Sequence, residues 1–269
     1  MKIVRESEEQ KINEISKLLL NFSSTIGLTG AGISTNSGIP EFRGKEGIWK
    51  KYSIKKFGTF ESFQRDPMKF WKMAKKIAPK LFTAEPNPGH YALAELEKMN
   101  IIKGIITQNI DQLHQKAGTI IVYEIHGNIN SCICLNCKAS YTRQQCIKIQ
   151  KKENLFPPRC GICSSPLKPS VIIFGERLPT FEFFKSQQLA KKADLLLIAG
   201  SSLTVNPVAN LPLYTLNNGG KLIIINDQPT YLDKKAEIVI QNKTEIILPL
   251  IVEQIKKRVL QKKEDILDR

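Results

Sequence analysis

Residues 25–44 read TIGLTGAGISTNSGIPEFRG. The opening residues 25–28 form a short apolar run that feeds directly into Gly30-Ala31-Gly32. A strand followed by Gly-x-Gly lets a backbone come close to a pyrophosphate, because no Cβ stands in the way. Alone the signal is weak. The third glycine of the dinucleotide fingerprint is absent, Thr35 holds its slot, and an ordinary tight turn would look the same.

Working outward, residues 7–22 place Ile12, Ile15, Leu18, Leu19 and Phe22 near helical spacing. Ser7 and Gln10 fit a capping box at the start of that helix. Apolar runs at 104–107, 171–174, 195–199 and 222–225 lack clean alternation, as parallel strands covered on both faces do. Helical stretches at 88–99 and 181–192 sit between them. The rhythm is that of a doubly wound, parallel, Rossmann-type α/β sheet. Two regions break it. Residues 43–87 are aromatic, lysine-rich and helical in composition, and residues 131–168 hold every cysteine together with Pro157, Pro158 and Pro166. The expected organisation is therefore a discontinuous dinucleotide-binding domain (1–42, 88–130 and 169–269) with a smaller lobe. That lobe is built from a helical insert, 43–87, and a zinc-binding insert, 131–168.

A chain of 269 residues is long enough for this arrangement. Runs such as 195–199 are too short to span a bilayer, and the first ten residues are charged rather than apolar, so no secretory signal is visible. A cytoplasmic enzyme, monomeric by default, is the expectation. The net charge of +15 is unevenly placed. Residues 43–80 carry 12 Lys/Arg against 3 Asp/Glu and residues 143–192 carry 10 against 3, so the remainder is close to neutral. Two basic segments of this kind attract phosphates, nucleic acid or an acidic partner; solvated lysines kept for solubility are the plainer reading.

The cysteines are the strongest single signal. Cys134 and Cys137 form one C-x-x-C pair and Cys160 and Cys163 another, with 22 residues between them. In a reducing compartment such pairs bind metal more often than they form disulfides. Two knuckles complete a tetrahedral four-sulfur site, and four thiolates leave no open position, so the zinc is structural. The intervening length exceeds the usual ribbon, so an excursion must be tucked in. Cys132 and Cys146 lie outside the pattern, although Cys132 is a register competitor for Cys134.

Of the three histidines, His90 follows Pro88-Gly89 at a helix start and reads as structural, and His114 reads as packed or hydrogen-bonded. His126 ends a strand-like run just before Gly127, where a titrating side chain can be presented to a cleft. It is the candidate general base, since imidazole titrates near neutral pH.

GAGISTNSGIPEFRG at 30–44 is followed by TQNIDQLH at 107–114, EIHG at 124–127, FGE at 174–176, GSSL at 200–203 and Asn226. This set, in this order, with the four cysteines between EIHG and FGE, resembles the sirtuin family over nearly the whole chain. The resemblance implies an NAD-dependent protein lysine deacylase. Gly30, Ala31, Gly32, Thr35, Phe42 and Arg43 would line the dinucleotide site, the last two on a closing loop. Gln108, Ile110 and Asp111 would border the nicotinamide and its ribose, and Asn109 would order a water near the reacting carbon. Gly200, Ser201, Ser202, Asn226 and Asp227 would meet the adenosine half. The acyl oxygen of a modified lysine would attack the anomeric carbon as nicotinamide leaves, and His126 would activate a ribose hydroxyl. The acyl group would end on ADP-ribose. The acylated peptide would lie extended between the lobes as an added strand, held by the main chain of Gly175 and Glu176. Ile172 and Phe174 would wall the lysine tunnel.

Sirtuins that remove acidic acyl groups carry a closely spaced Tyr and Arg in the helical insert. Residues 66–82 contain neither, although Lys75 and Lys76 are present. A neutral acyl group is expected, acetyl first and longer chains second. Three alternatives stand beside this reading. A mono-ADP-ribosyltransferase would share the nicotinamide-cleaving residues. An NAD-dependent oxidoreductase would leave TQNID and the zinc lobe without a role. A nucleic-acid binder would leave His126 and Asn109 without one.

Overall fold

The structure, a computed structural model, describes residues 6–41, 47–153 and 156–267. Its strands are β1 (Thr25–Thr29), β2 (Ile102–Thr107), β3 (Val122–Glu124), β4 (Gly127–Cys134), β5 (Ser140–Thr142), β6 (Leu167–Val171), β7 (Leu195–Ala199), β8 (Lys221–Ile225) and β9 (Ile238–Ile240). Six of them make a sheet in the order β3-β2-β1-β7-β8-β9, with every pairing parallel. The order reverses between β1 and β7, which is where an open α/β sheet leaves a crevice outside the carboxyl ends of its strands.

The missing alternation in the strand sequences has a direct cause. In β7, Leu195, Leu197 and Ala199 join one apolar layer, while Leu196 and Ile198 join the other. β8 divides the same way, Ile223 and Ile225 against Leu222 and Ile224. The first layer is closed by residues of the helices Glu6–Asn21, Pro88–Lys98 and Thr244–Leu267, and the second by residues of Thr180–Lys192 and Leu211–Asn217. Both faces are dry, so no position alternates with a polar one.

Two expectations need correction. Residues 171–174 are not a strand of the parallel sheet. The strand there is β6, which pairs antiparallel with β4 in a separate sheet of order β5-β4-β6. Beyond Val171 the chain leaves that sheet and meets the helical region instead, through a bridge between Phe174 and Thr59. An apolar run with prolines and glycine at its edges specifies burial but not the partner strand. Ser7 and Gln10 are not a capping box either, because the helix has already begun at Glu6. Glu6, Glu8 and Glu9 crowd its first turn, where carboxylates favour the positive end of the helix dipole. The strand β9 is not among the elements read from the sequence, whereas β3 is the strand-like run expected just before His126.

β4 and β6 also run across the expected edges at 130/131 and 168/169, because they pair with each other. Residues 47–83 form the helices Ile48–Lys51, Ile54–Phe57, Phe60–Arg65 and Pro67–Thr83. The last starts at Asp66-Pro67, where the Asp66 carboxylate accepts from Met68 N at 3.1 Å and proline takes the first helical position. Its Trp71 donates to Leu167 O at 2.8 Å and ties the helix to β6. No helix among the described residues is long and apolar enough to cross a membrane.

Candidate functional site

Every described candidate except Asp111 and the four cysteines converges on one cavity of about 790 Å³, at the carboxyl ends of β1 and β7. Gly30, Ala31, Gly32, Thr35, Gln108, Asn109, Ile110, His126, Gly200, Ser201, Ser202, Asn226 and Asp227 line it, as do Ile172, Phe174, Gly175 and Glu176. Phe42 and Arg43 lie outside the described residues.

The Gly-x-Gly loop is folded against Gly200. Gly32 N donates to Gly200 O at 2.8 Å. A Cβ on Gly32 would stand 2.8 Å from that oxygen, and one on Gly200, whose φ is +63°, would stand 2.2 Å from Ile33 N. Both positions therefore require glycine. Gln108 Nε2 donates to Ser201 Oγ at 2.9 Å and links the segments that follow β2 and β7.

His126 is held with its tautomer defined. Its Nδ1 lies 3.0 Å from Gln108 O. A carbonyl can only accept, so Nδ1 carries the hydrogen and Nε2 keeps its lone pair. Burial pushes the imidazole below its ordinary pKa, and the bond to the Gln108 carbonyl opposes that shift. Asn109 donates from Nδ2 to Gly30 O at 3.1 Å and to Ser34 Oγ at 3.0 Å. Both amide hydrogens are thereby committed, which leaves Oδ1 as the acceptor it can offer to a water or ligand.

Asp111 is the candidate not brought to the cavity wall. It is buried behind it, where Oδ2 accepts from Ser34 Oγ at 2.7 Å and Oδ1 accepts from Leu113 N at 3.0 Å. The carboxylate is occupied in starting the turn 113–116 and in aligning Ser34, which in turn meets Asn109. Ser34 was not singled out by sequence; a serine among small residues carries no signal of its partners. His90 and His114 are packed as expected. His90 Nδ1 accepts from Asn87 N at 3.3 Å, and His114 Nε2 meets Thr29 Oγ1 at 2.9 Å. Burial holds both imidazoles down, His90 to about 4.

Beyond Ile172 and Phe174 the cavity continues between the helix Pro67–Thr83 and the helix Arg143–Glu153, past Trp71, Ala74, Ala78, Phe82, Ile147 and Phe156. Arg143 packs over the Phe82 ring at 4.0 Å, and Lys75 stands 5.6 Å from the Phe156 centroid. Arg143 is thus a cation at this far arm that residues 66–82 alone do not reveal. It arrives from the excursion between the cysteine pairs, which is folded as β5 and its following helix.

The four ligand candidates have their sulfurs within 4.8 Å of one another. Cys134 and Cys163 are 3.4 Å apart, and Cys137 and Cys160 are 3.5 Å apart. A tetrahedral zinc with bonds of about 2.3 Å separates its sulfurs by about 3.8 Å, so the cluster fits that ion. Each pair is shaped the same way. Lys138 N donates to Cys134 O and Ser164 N to Cys160 O, while Cys134 N donates to Ala139 O and Cys160 N to Ser165 O. Lys138 and Ser164 both take the left-handed conformation that turns the chain back. Cys132 and Cys146 are buried outside the cluster, so the register with Cys134 and Cys137 is the one formed.

The Sir2 family model matches residues 30–207. An NAD-dependent protein deacetylase of Sulfurisphaera tokodaii is 47% identical over 92% of this chain and 97% of its own length. An NAD-dependent protein deacylase 2 of Archaeoglobus fulgidus is 42% identical over 93% of this chain and 98% of its own. A solved Sir2 structure with deacetylated p53 peptide and 3'-O-acetyl ADP-ribose superposes with a TM-score of 0.85 at 39% identity, covering 90% of this chain and 98% of that one. The Gly-x-Gly loop, Asn109, His126 and all four cysteines fall inside the matched span, and the likeness runs over nine-tenths of the chain: it belongs to the Sir2 family.

Proposed function

We propose that this chain removes acyl groups from protein lysines, consuming NAD and leaving the acyl group on ADP-ribose. The observation that carries the reading is His126, a buried imidazole with Nδ1 committed to the Gln108 carbonyl and Nε2 free, on the wall of a cavity that also presents Asn109 and the Gly-x-Gly loop. When bound, NAD supplies an electrophilic ribose carbon with nicotinamide as leaving group. Gly30, Ala31, Gly32 and Thr35 would hold the pyrophosphate side, and Gly200, Ser201, Ser202, Asn226 and Asp227 the adenosine side. His126 takes a proton from a ribose hydroxyl at Nε2. Asn109 offers Oδ1 to a water. The main chain of Gly175 and Glu176 holds an acylated peptide as an added strand, and Ile172 and Phe174 exclude water around the lysine stem. Zinc, held by Cys134, Cys137, Cys160 and Cys163, supplies folding energy to the three-stranded sheet and takes no part in the chemistry. The division into a larger dinucleotide-binding part and a smaller part made from the two inserts belongs to the same proposal.

The relatives named as deacetylase and deacylase, and the solved complex with acetyl ADP-ribose, support this reading over ADP-ribosyl transfer to protein. The defined tautomer of His126 also favours it, because a transfer to another protein does not need a base aimed at the ribose. Acetyl is the first expectation for the acyl group. The apolar arm past Trp71 and Ile147 favours longer neutral chains as the second. The test is a series of lysine peptides carrying acetyl, butyryl, octanoyl and succinyl groups, each with and without NAD. NAD-dependent deacylation of the neutral members supports the proposal. Turnover of the succinyl peptide alone would overturn the choice of acyl class and point to Arg143.

A further inference from the structure

Residues 172–176 belong to neither sheet, yet they must keep their shape to present main-chain groups to a peptide. Their anchorage can be traced bond by bond. Ile172 N donates to His126 O at 2.8 Å, which fastens the segment to the histidine. On the other side Phe174 N donates to Gly58 O at 2.9 Å and Phe60 N donates to Phe174 O at 2.8 Å. Glu176 closes the turn: its N donates to Ile173 O at 3.0 Å, and its Oε2 accepts from Ile173 N at 2.9 Å. The same carboxylate oxygen lies 3.0 Å from Lys168 Nζ.

Lys168 is only 1% exposed and is among the largest fully buried side chains. An ammonium has three hydrogens and no acceptor, and three acceptors surround this one. They are Val171 O at 2.6 Å, Pro169 O at 3.1 Å and the Glu176 carboxylate. All three come from residues 169–176, so a single buried group ties the end of β6 to the end of the segment that follows it. Packing alone gives no reason for a charge here. A buried ion pair is often no better for stability than apolar residues of the same volume, and its attested use is to specify one arrangement.

We infer that Lys168 is a positioning residue for the peptide-binding segment, resting on the deacylase reading above. Its ammonium holds the Glu176 turn against β6, so that the main chain of Gly175 and Glu176 stands beside His126. Lys168 itself touches neither peptide nor dinucleotide. The role follows from a placement that is invisible in sequence, where Lys168 is one cation in a basic segment.

The experiment compares wild type with Lys168→Met, Lys168→Arg and the double variant Lys168→Met/Glu176→Gln. The double variant is a folding control, because Lys168→Met leaves a buried carboxylate without its cation, which costs stability. Steady-state kinetics are measured with an acetyl-lysine peptide and with NAD, each at saturation of the other. Amide hydrogen exchange is read on the free proteins. In Lys168→Met the peptide KM is expected to rise about tenfold or more, as displaced binding groups do, with KM for NAD and kcat within about threefold. Lys168→Arg, which keeps the charge, should recover part of the loss. The amides of Ile172, Ile173 and Phe174 should lose protection while those of β1 and β7 do not. Unchanged peptide KM with unchanged protection at 172–174 would overturn the inference, as would an equal loss across all parameters and all strands. If wild type turned over no acyl peptide, the deacylase reading would fall, and exchange at 172–174 would still decide whether Lys168 holds the segment.

Discussion

Every residue of β7 in the six-stranded sheet is fully buried, and aliphatic side chains of β1, β2, β8 and β9 extend the same two layers. Around the three-stranded sheet the buried cluster is Cys132, Cys134, Cys146, Cys160 and Leu167, four thiols and one leucine. Area removed from water stabilises at roughly 25 cal/mol per Å², so this term is much larger in the first region than at the cysteine end of the second. The second is joined by thiolates that meet at one point, by Trp71 reaching Leu167 O and by the cations packed over Phe82 and Phe156. The cavity lies between the two. Gly30 and Gly200 line it from the first and Trp71 and Ile147 from the second; on the proposed reading the dinucleotide would meet the first and the acyl group the second.

The comparison breaks first at the metal. Structural zinc sites contribute on the order of 10 kcal/mol, so Cys134→Ser should lose zinc and unfold β4–β6 while β1 and β7 stay protected from hydrogen exchange. Retained zinc with unchanged melting would remove Cys134 from the ligand set. The reverse experiment is His126→Ala. Loss of a general base costs about 10²–10⁴-fold in turnover, whereas the single bond to Gln108 O is worth about 1 kcal/mol, so zinc content and melting should barely move. On the proposed mechanism the neutral imidazole of wild type is the active form, and burial lowers its pKa. The acidic limb of the rate profile should therefore lie below the ordinary value of 6.5. A limb above 6.5 would place the base elsewhere.

A smaller effect separates the two regions by pH. His90 is held to about 4 from an ordinary 6.5 by burial against the large sheet. As pH falls from 6.5 the unfolded chain binds the proton first, so stability is complete above 6.5 and declines until the folded histidine also protonates near 4. The loss is on the order of 3 kcal/mol. His90→Gln, which keeps an acceptor for Asn87 N, should flatten that slope in denaturant titrations; an unchanged slope would assign acid sensitivity to other groups. Most local is Gly200→Ala. A methyl group there meets Ile33 N at a positive φ, which costs more than about 1 kcal/mol and should weaken NAD binding without releasing zinc. Normal NAD affinity would show that the loop can give way.

How much of this was legible in the sequence also divides along the two regions. Strands buried on both faces announce themselves as unbroken aliphatic runs, so β1, β2, β7 and β8 could be read directly, whereas the site residues at their carboxyl ends came from the family resemblance. The C-x-x-C spacing carries its own geometry. What the chain does not display is pairing between segments far apart. Val171 looks like the start of another parallel strand and is the end of an antiparallel one. Asp111 matches a site motif, but the sequence does not show that its carboxylate meets Ser34 and Leu113. Arg143 and Phe82 meet across 61 residues of chain, and only the folded arrangement shows that a cation borders the acyl arm.

The most direct test of the central claim is the stoichiometry of a single reaction with an acetyl-lysine peptide and NAD. Nicotinamide, free lysine peptide and O-acetyl-ADP-ribose are quantified together by mass spectrometry. The account predicts equal amounts of all three from wild type, none of them without NAD, and no free lysine peptide or O-acetyl-ADP-ribose from His126→Ala. Nicotinamide released while the acetyl group stays on the peptide, or free acetate formed without NAD, would contradict it.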